Sequence, residues 1–237
     1  TSYRIQTMRK KLDLMNGREY AELANIQAVN ENKAPYFTQE QVDNFGEGFD
    51  WQNLVFRDAP MRNSSLNISG GSDKTTFSIG GVIFNQDGII KGSDYNRYSL
   101  RTNINHKVSE KFSVSLSSSM THLKTNGKNS GGGARGNSLI GAAISAAPIS
   151  TPYNDDGTYR VLANEYPFIG PDIRNPLNFI NEQSNAVTAN VLLANAALLY
   201  KPIPELTIKI SGGVENRDDR TDNYTTRNFI NSDGSAS

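Results

Sequence analysis

Few residues in this sequence have the types and spacing needed for chemistry. There is no Cys, which removes a thiol nucleophile, a disulfide framework and Cys-ligated metals. The two imidazoles, His106 and His122, would have to converge to hold a metal or to act as an acid–base pair. Placed on strands, they fall at opposite ends of neighbouring ones, His106 by a short turn and His122 by a long connection, and each is expected to be a solvated side chain. Asp155-Asp156-Gly157 sets carboxylates beside a glycine but lacks the alternating oxygen ligands and distal Glu of an EF-hand loop, so a plain turn is expected. Ser130-Gly-Gly-Gly-Ala-Arg-Gly136 is glycine-rich like a phosphate cradle, yet it follows no buried strand and lacks the Gly-Lys-Ser/Thr ending. A flexible loop is the expectation there. No catalytic residue, metal site or cofactor follows from these residues.

Aromatic residues offer binding rather than reaction. Trp51, the only Trp, suits either contact with a ligand or partner or a packed loop anchor, and the anchor is preferred. Tyr153, Tyr159, Tyr166 and Phe168 cluster in one long polar stretch, where ring faces could stack on sugars or hold peptide side chains. Part of that stretch must also pack on itself.

The elements that would position these residues change character at Pro60. Before it, Arg18–Val29 has helical spacing, with Tyr20, Leu23, Ile26 and Val29 at intervals of three. Asn137–Ala147, rich in Ala, Ile and Ser, reads as another short helix ending before Pro148. After Pro60 the period becomes two. Phe112, Val114, Leu116 and Met120 share one face of a strand and serines the other, as befits a boundary between an apolar and a polar medium. Tyr98, Leu100, Ile104 and Val108 repeat the pattern against Arg101, Asn103, Asn105 and Lys107. So do Leu206, Ile208, Ile210 and Val214 against Lys209 and Glu215. Leu66 and Ile68, then Phe77, Ile79 and Ile83, give shorter versions. Ala189–Tyr200 is apolar on both faces, so its register is open.

Composition agrees with strands between two media. Apolar residues make up 36%, below the roughly 45–50% of soluble domains, which leaves a conventional core hard to fill. A transmembrane barrel needs only a one-in-two apolar band facing lipid. Lys+Arg balance Asp+Glu at 24 each, giving no basic field for nucleic acid. No apolar run is long enough for a spanning helix, and Thr1–Lys11 has no signal-peptide pattern.

Alternation alone would favour a soluble β-sandwich. The connections shift the balance. Between the proposed strands they run short, long, short, long, short: 71–74, 87–96, 109–111, about sixty residues from Leu123, and 201–205. In an up-and-down meander every second connection lies at one end, so the short turns gather on one side and the long loops on the other, as in outer-membrane barrels. The fold class expected is all-β, an antiparallel up-and-down meander, with helical content in the N-terminal loop. The segments are 1–63, a loop with short helices; 64–122, four strands; 123–187, a long loop; 188–216, two strands; and 217–237, the start of the next loop.

Asp50-Trp-Gln-Asn-Leu-Val-Phe-Arg-Asp-Ala-Pro-Met61 and Leu66-Asn-Ile-Ser-Gly-Gly-Ser-Asp-Lys-Thr75 resemble the SusC/RagA-like TonB-dependent outer-membrane transporters of Bacteroidetes. So do Gln86–Ile90, Asn96–Asn105, Ala146–Tyr159 and Asn175-Pro-Leu-Asn178, in one collinear order. The resemblance implies part of a barrel of about twenty-two strands in the outer membrane. It makes Thr1–Gln6 the outer end of the first strand and the six strands above the second to seventh. It further implies import of an oligosaccharide or peptide with a SusD-like surface lipoprotein as lid, driven by TonB through a plug domain outside this segment. The alternatives are a passive porin or adhesin barrel, or a soluble secreted carbohydrate-binding sandwich.

Overall fold

A computed structural model of the protein describes residues 1–131, 136–231 and 233–236. Residues 132–135 of the glycine-rich stretch and two positions of the C-terminal stretch lie outside the described residues.

Seven strands form one antiparallel sheet in chain order: β1 (Ser2–Gln6), β2 (Ala59–Gly71), β3 (Thr75–Asp87), β4 (Asp94–Lys107), β5 (Phe112–Gly127), β6 (Gln183–Ile203) and β7 (Leu206–Thr225). β1 pairs with the start of β2, Ser2 opposite Asn63 and Gln6 opposite Ala59. The turns at 72–74, 108–111 and 204–205 share one edge of the sheet; the connections 7–58, 88–93 and 128–182 share the other. No second sheet packs on this one among the described residues, so the sandwich reading fails.

Register sorts the side chains by medium. In an antiparallel pair, opposed residues project to the same face, so Ile104, Leu116 and Ala196 form one row and Tyr98, His122 and Asn190 another. The apolar face carries Leu66, Ile79, Leu100, Met120, Ile210 and Val214, all exposed at 42–68%. Arg101, Asn103, Ser117, Lys209 and Glu215 stand on the opposite face. β6 resolves by pairing, with Leu192 and Leu198 joining the apolar face and Leu193 and Leu199 the polar one. Along β5 the apolar stretch from Phe112 to His122 covers about 34 Å of strand. At the tilt of a barrel strand this gives about 25 Å of height, equal to the apolar band of outer-membrane barrels. Phe112 stacks on Tyr200 at the lower margin, centroids 4.4 Å apart, and Tyr98 lies beside His122 at the upper one. Both histidines thus sit on the apolar face at its two margins rather than on a solvated face. They are about 27 Å apart along the register and cannot share a ligand.

The strands run past the limits read from alternation, which is a correction to the segment bounds. β2 begins at Ala59, β5 ends at Gly127, β6 begins at Gln183 and β7 continues to Thr225. Beyond the band both faces meet water, the period-two signal disappears, and the hydrogen-bonded ladder continues without it. β7 shows this most clearly, with Glu215–Asp222 polar on both faces.

The long connections pack into a layer with its own core. Of the buried apolar residues among those described, only Ala59 and Ala189 belong to strands. The rest lie in the loops and in α1 (Gly17–Asn30), α2 (Gln39–Phe45), α3 (Trp51–Val55) and α4 (Leu139–Ser145). The face that α1 buries is also corrected. Leu23, Ile26 and Val29 are exposed at 48%, 57% and 56%, whereas Gly17, Ala21, Ala24 and Ala28 face inward. Close approach is the reason: a Cβ on Gly17 would lie 3.0 Å from both Gly48 Cα and Phe45 O, and the Gly17 and Arg18 amides donate to Glu47 O and Gly46 O. Only a stripe of small residues tolerates that contact.

Candidate functional site

The face available to a ligand is the loop layer and the polar side of the wall next to it. Each of α1 to α4 starts at a side-chain cap. Asn16 and Thr38 form reciprocal capping boxes with Glu19 and Gln41, Asp50 accepts from the Asn53 amide at 2.9 Å, and Ser138 accepts from the Gly141 amide at 3.1 Å.

Between helices the chain is irregular yet buried, so its backbone groups need partners. Side-chain amides supply them two bonds at a time. Gln52 accepts from the Leu12 amide and donates to the Leu12 carbonyl, both at 2.9 Å. Asn25 does the same for Phe37, at 2.9 and 2.8 Å, and Asn178 for Ile230, at 3.2 and 2.8 Å. Each amide imitates one rung of a β-ladder and ties segments 12 to 52 positions apart. Sequence reading passed over these three, because an Asn or Gln that clamps a backbone looks like any other.

Of the aromatic candidates, Trp51 is a packed anchor. It is 3% exposed, its indole N–H donates to Ala147 O at 2.9 Å, and its ring meets Phe49 edge-on. Only one edge of this ring is left open, beside a cavity described below. Tyr166 and Phe168 stack within 6° of parallel and pack on Phe37, joining the two apolar clusters of the layer. Burial pushes the Tyr166 hydroxyl pKa upward. Tyr153 and Tyr159 come together across a hairpin, centroids 5.7 Å apart, with Tyr153 43% exposed. The Tyr159 hydroxyl donates to Glu182 at 2.8 Å and accepts from Asn181 at 3.0 Å, and its pKa is raised mainly by burial. Thr226 donates to the same carboxylate. The five candidates thus separate into one anchor, one internal stack and one pair with a face toward solvent.

That hairpin, Asn154-Asp-Asp-Gly-Thr158, is a plain turn with a near copy at the end of the chain. Asp156 accepts from the Thr158 amide and hydroxyl at 2.9 and 2.6 Å, and Asp233 accepts from those of Ser235 at the same distances. Gly157 and Gly234 both have φ of +82°, a conformation glycine adopts without strain. The carboxylate is occupied in holding the turn. No group of His, Asp or Glu among the described residues is arranged to hold a metal ion.

The layer also contains an opening that sequence reading did not anticipate. A cavity of about 450 Å³ lies between the extended stretch 11–16 and α4, walled by Leu12, Leu14, Tyr20, Phe49 and Ile144, with one edge of Trp51. Leu12 and Leu14 alternate with Lys11 and Asp13, a short period-two signal within a region otherwise read as helical. On the polar face of the wall a second hollow, about 670 Å³, is lined by Asn103, Asn105, Ser115, Ser117, Asn195 and Lys209. Together they give an apolar pocket in the loops and a hydrogen-bonding surface on the wall.

Comparison with known proteins fits this architecture. No family model matches the chain. It is 26% identical over 216 residues to TonB-dependent receptor P3 of Formosa agariphila, covering 90% of this chain and 20% of that protein. With TonB-dependent receptor P26 of the same organism it shares 23% identity over 160 residues, 68% of this chain and 15% of that one. The RagAB peptide transporter structure superposes with a TM-score of 0.73 at 18% identity, over 93% of this chain and 28% of the other. The chain resembles TonB-dependent receptors in sequence and the RagAB peptide transporter in fold. The RagAB peptide importer superposes at 0.73 in its closed-closed state (19% identity, 95% of this chain and 28% of the other) and at 0.71 in its open-open state (20%, 93% and 27%). The chain spans about a fifth or less of the length of the curated relatives it matches. Its seven strands form an antiparallel meander with the fold of a stretch of the RagAB transporter.

Proposed function

We propose that this wall and loop layer belong to an importer that carries an oligosaccharide or a peptide across the outer membrane, energised by TonB through a plug domain. The observation that carries the proposal is the gathering of the long connections into a packed layer at one edge of a lipid-facing sheet. A packed layer with a pocket is what a ligand-gating mouth needs, whereas a passive pore needs only a channel. The long connections face the outside of the cell, and segments 1–58, 128–182 and the stretch after Thr225 supply the mouth. Its role is binding and passage rather than catalysis. The RagAB proteins carry peptides by name, which makes a peptide one candidate ligand; the polar hollow around Asn103 and Asn195 suits the hydroxyls of a sugar equally.

We seat a SusD-like lipoprotein lid on the exposed stripe Leu23, Ile26 and Val29 of α1, apolar surface that the layer leaves uncovered. Two measurements test the reading. Uptake of labelled oligosaccharides and peptides by cells with the intact protein should stop when the proton gradient is collapsed; uptake that persists identifies a passive pore. Leu23→Asp with Ile26→Asp should release a co-purifying surface lipoprotein while leaving the barrel folded. Unchanged co-purification would place the lid elsewhere.

A further inference from the structure

The extended stretch 11–16 is held along one edge only. In an extended chain the N–H and C=O of alternate residues point to opposite edges. Leu12 turns its pair toward α3, where Gln52 accepts from one group and donates to the other. Lys11, Asp13 and Met15 turn theirs the other way, and none of these backbone groups is hydrogen-bonded among the described residues. Every residue from Lys11 to Met15 is exposed, so no described part of the layer covers that edge. Donors and acceptors set out along a short β-edge, with no strand on them, are what an extended peptide adds to.

Side chains beside the edge indicate what such a peptide carries. The cavity of about 450 Å³ between this stretch and α4 opens next to it, with apolar walls that include Leu12, Leu14, Phe49 and Ile144. Leu12, Leu14 and Ile144 are themselves exposed, so apolar surface there is left uncovered. The charged residues lining the cavity are Lys11, Asp13, Glu47 and Asp50. Lys11 and Asp50 pair with each other at 3.1 Å, while Asp13 and Glu47 have no ion pair among the described residues. The other cations nearby in sequence do not line the cavity: Arg18 is engaged by Glu22 and Asp43, and Arg9 and Lys10 precede the run. On a strand laid along the open edge, the residue opposite Asp13 shares its face, and the residues on either side share the face of Leu12 and Leu14. A basic residue between two apolar ones matches that order.

From these contacts we infer that the edge Lys11–Met15 binds an extended peptide by strand addition, its apolar side chains against Leu12, Leu14 and the cavity and a basic one opposite Asp13. A peptide repeats its N–H and C=O about every 6.8 Å along one edge, as this edge does; sugar hydroxyls do not alternate donor and acceptor in that way. The inference deepens the importer reading by choosing peptide over oligosaccharide, and it rests on that reading only for the claim that the bound peptide is cargo.

Binding is tested with the intact detergent-extracted protein and a fluorescent pentapeptide, Ala-Leu-Lys-Leu-Ala, followed by polarisation. N-methylation of the central Lys removes a ladder donor while keeping every side chain, and should weaken binding on the order of tenfold. The same change on the following Leu, whose N–H points away from the edge, should be tolerated. Asp13→Lys should reverse the preference for Lys over Glu at the central position. Asp13→Pro, which removes an amide from the open edge, should weaken both peptides while the barrel stays heat-modifiable. Equal binding of the parent peptide and the one methylated at Lys, or an unchanged central preference in Asp13→Lys, overturns the proposal. So does binding that emerges only after a co-purifying lipoprotein is removed, because the edge is then filled by a partner's strand. None of these measurements needs a proton gradient, so their failure leaves energised uptake intact; uptake that survives collapse of the gradient would sink the importer and leave the site standing.

Discussion

The wall and the loop layer of this chain solve the same problem in opposite ways. In the wall, apolar side chains such as Leu66, Leu116 and Ile210 point away from the protein, so lipid stands in for a core and the backbone is satisfied by the ladder. In the loop layer, Trp51, Leu139, Leu162 and Phe179 point inward against one another, and irregular backbone is satisfied by side-chain amides. One region borrows its apolar environment and the other makes its own. A substitution should therefore act according to region and face rather than residue type.

The largest expected effect falls in the layer. Phe179→Ala empties a fully buried site and should cost about 3–5 kcal/mol of the layer's stability. Limited proteolysis of the intact protein in membranes should then cleave the long connections while the barrel stays heat-modifiable. Loss of both together would show that layer and wall fold as one unit. Next comes Leu116→Arg, at mid-height on the lipid side, expected to cost about 2–4 kcal/mol when folding into lipid vesicles is followed by urea titration. Ser117→Arg, one residue along and on the polar face, should change little. Equal costs for the two would break the assignment of faces.

Removing an amide clamp is a smaller perturbation. Asn178→Ala leaves the Ile230 amide and carbonyl without partners and should cost about 1–3 kcal/mol, seen as faster cleavage near Phe229. The smallest effect concerns pH. Hydrogen bonds from the Thr158 hydroxyl and amide hold the Asp156 carboxyl below its usual pKa, so their contribution is present above the unfolded value and is lost as pH falls through the lower folded one. Protease cleavage of the 154–158 hairpin should rise as pH falls below about 4, and Asp156→Asn should flatten that dependence.

How much could be read in advance differed between the two regions for physical reasons. A side chain between lipid and water leaves a period of two at every step, so Phe112–Met120 and Leu206–Val214 announced both their strands and their faces. The signal stopped where the apolar medium stops, which is why the extensions of β5 and β7 were not visible. In α1 the large apolar residues drew attention to one stripe, while the buried one, Gly17, Ala21, Ala24 and Ala28, has the same helical spacing in residues too small to stand out. Trp51 stands out as the only Trp of the sequence, but the cavity beside it depends on Leu12 meeting α4 across the whole layer.

By itself the sequence determined the wall: its strands, its two faces and the end at which the long connections gather, because a boundary between media acts locally on every second residue. Only the tertiary structure decided which loop side chains meet. Gln52 finds Leu12, Asn178 finds Ile230 and Tyr153 finds Tyr159 through contacts between distant segments, and no local period records such a meeting.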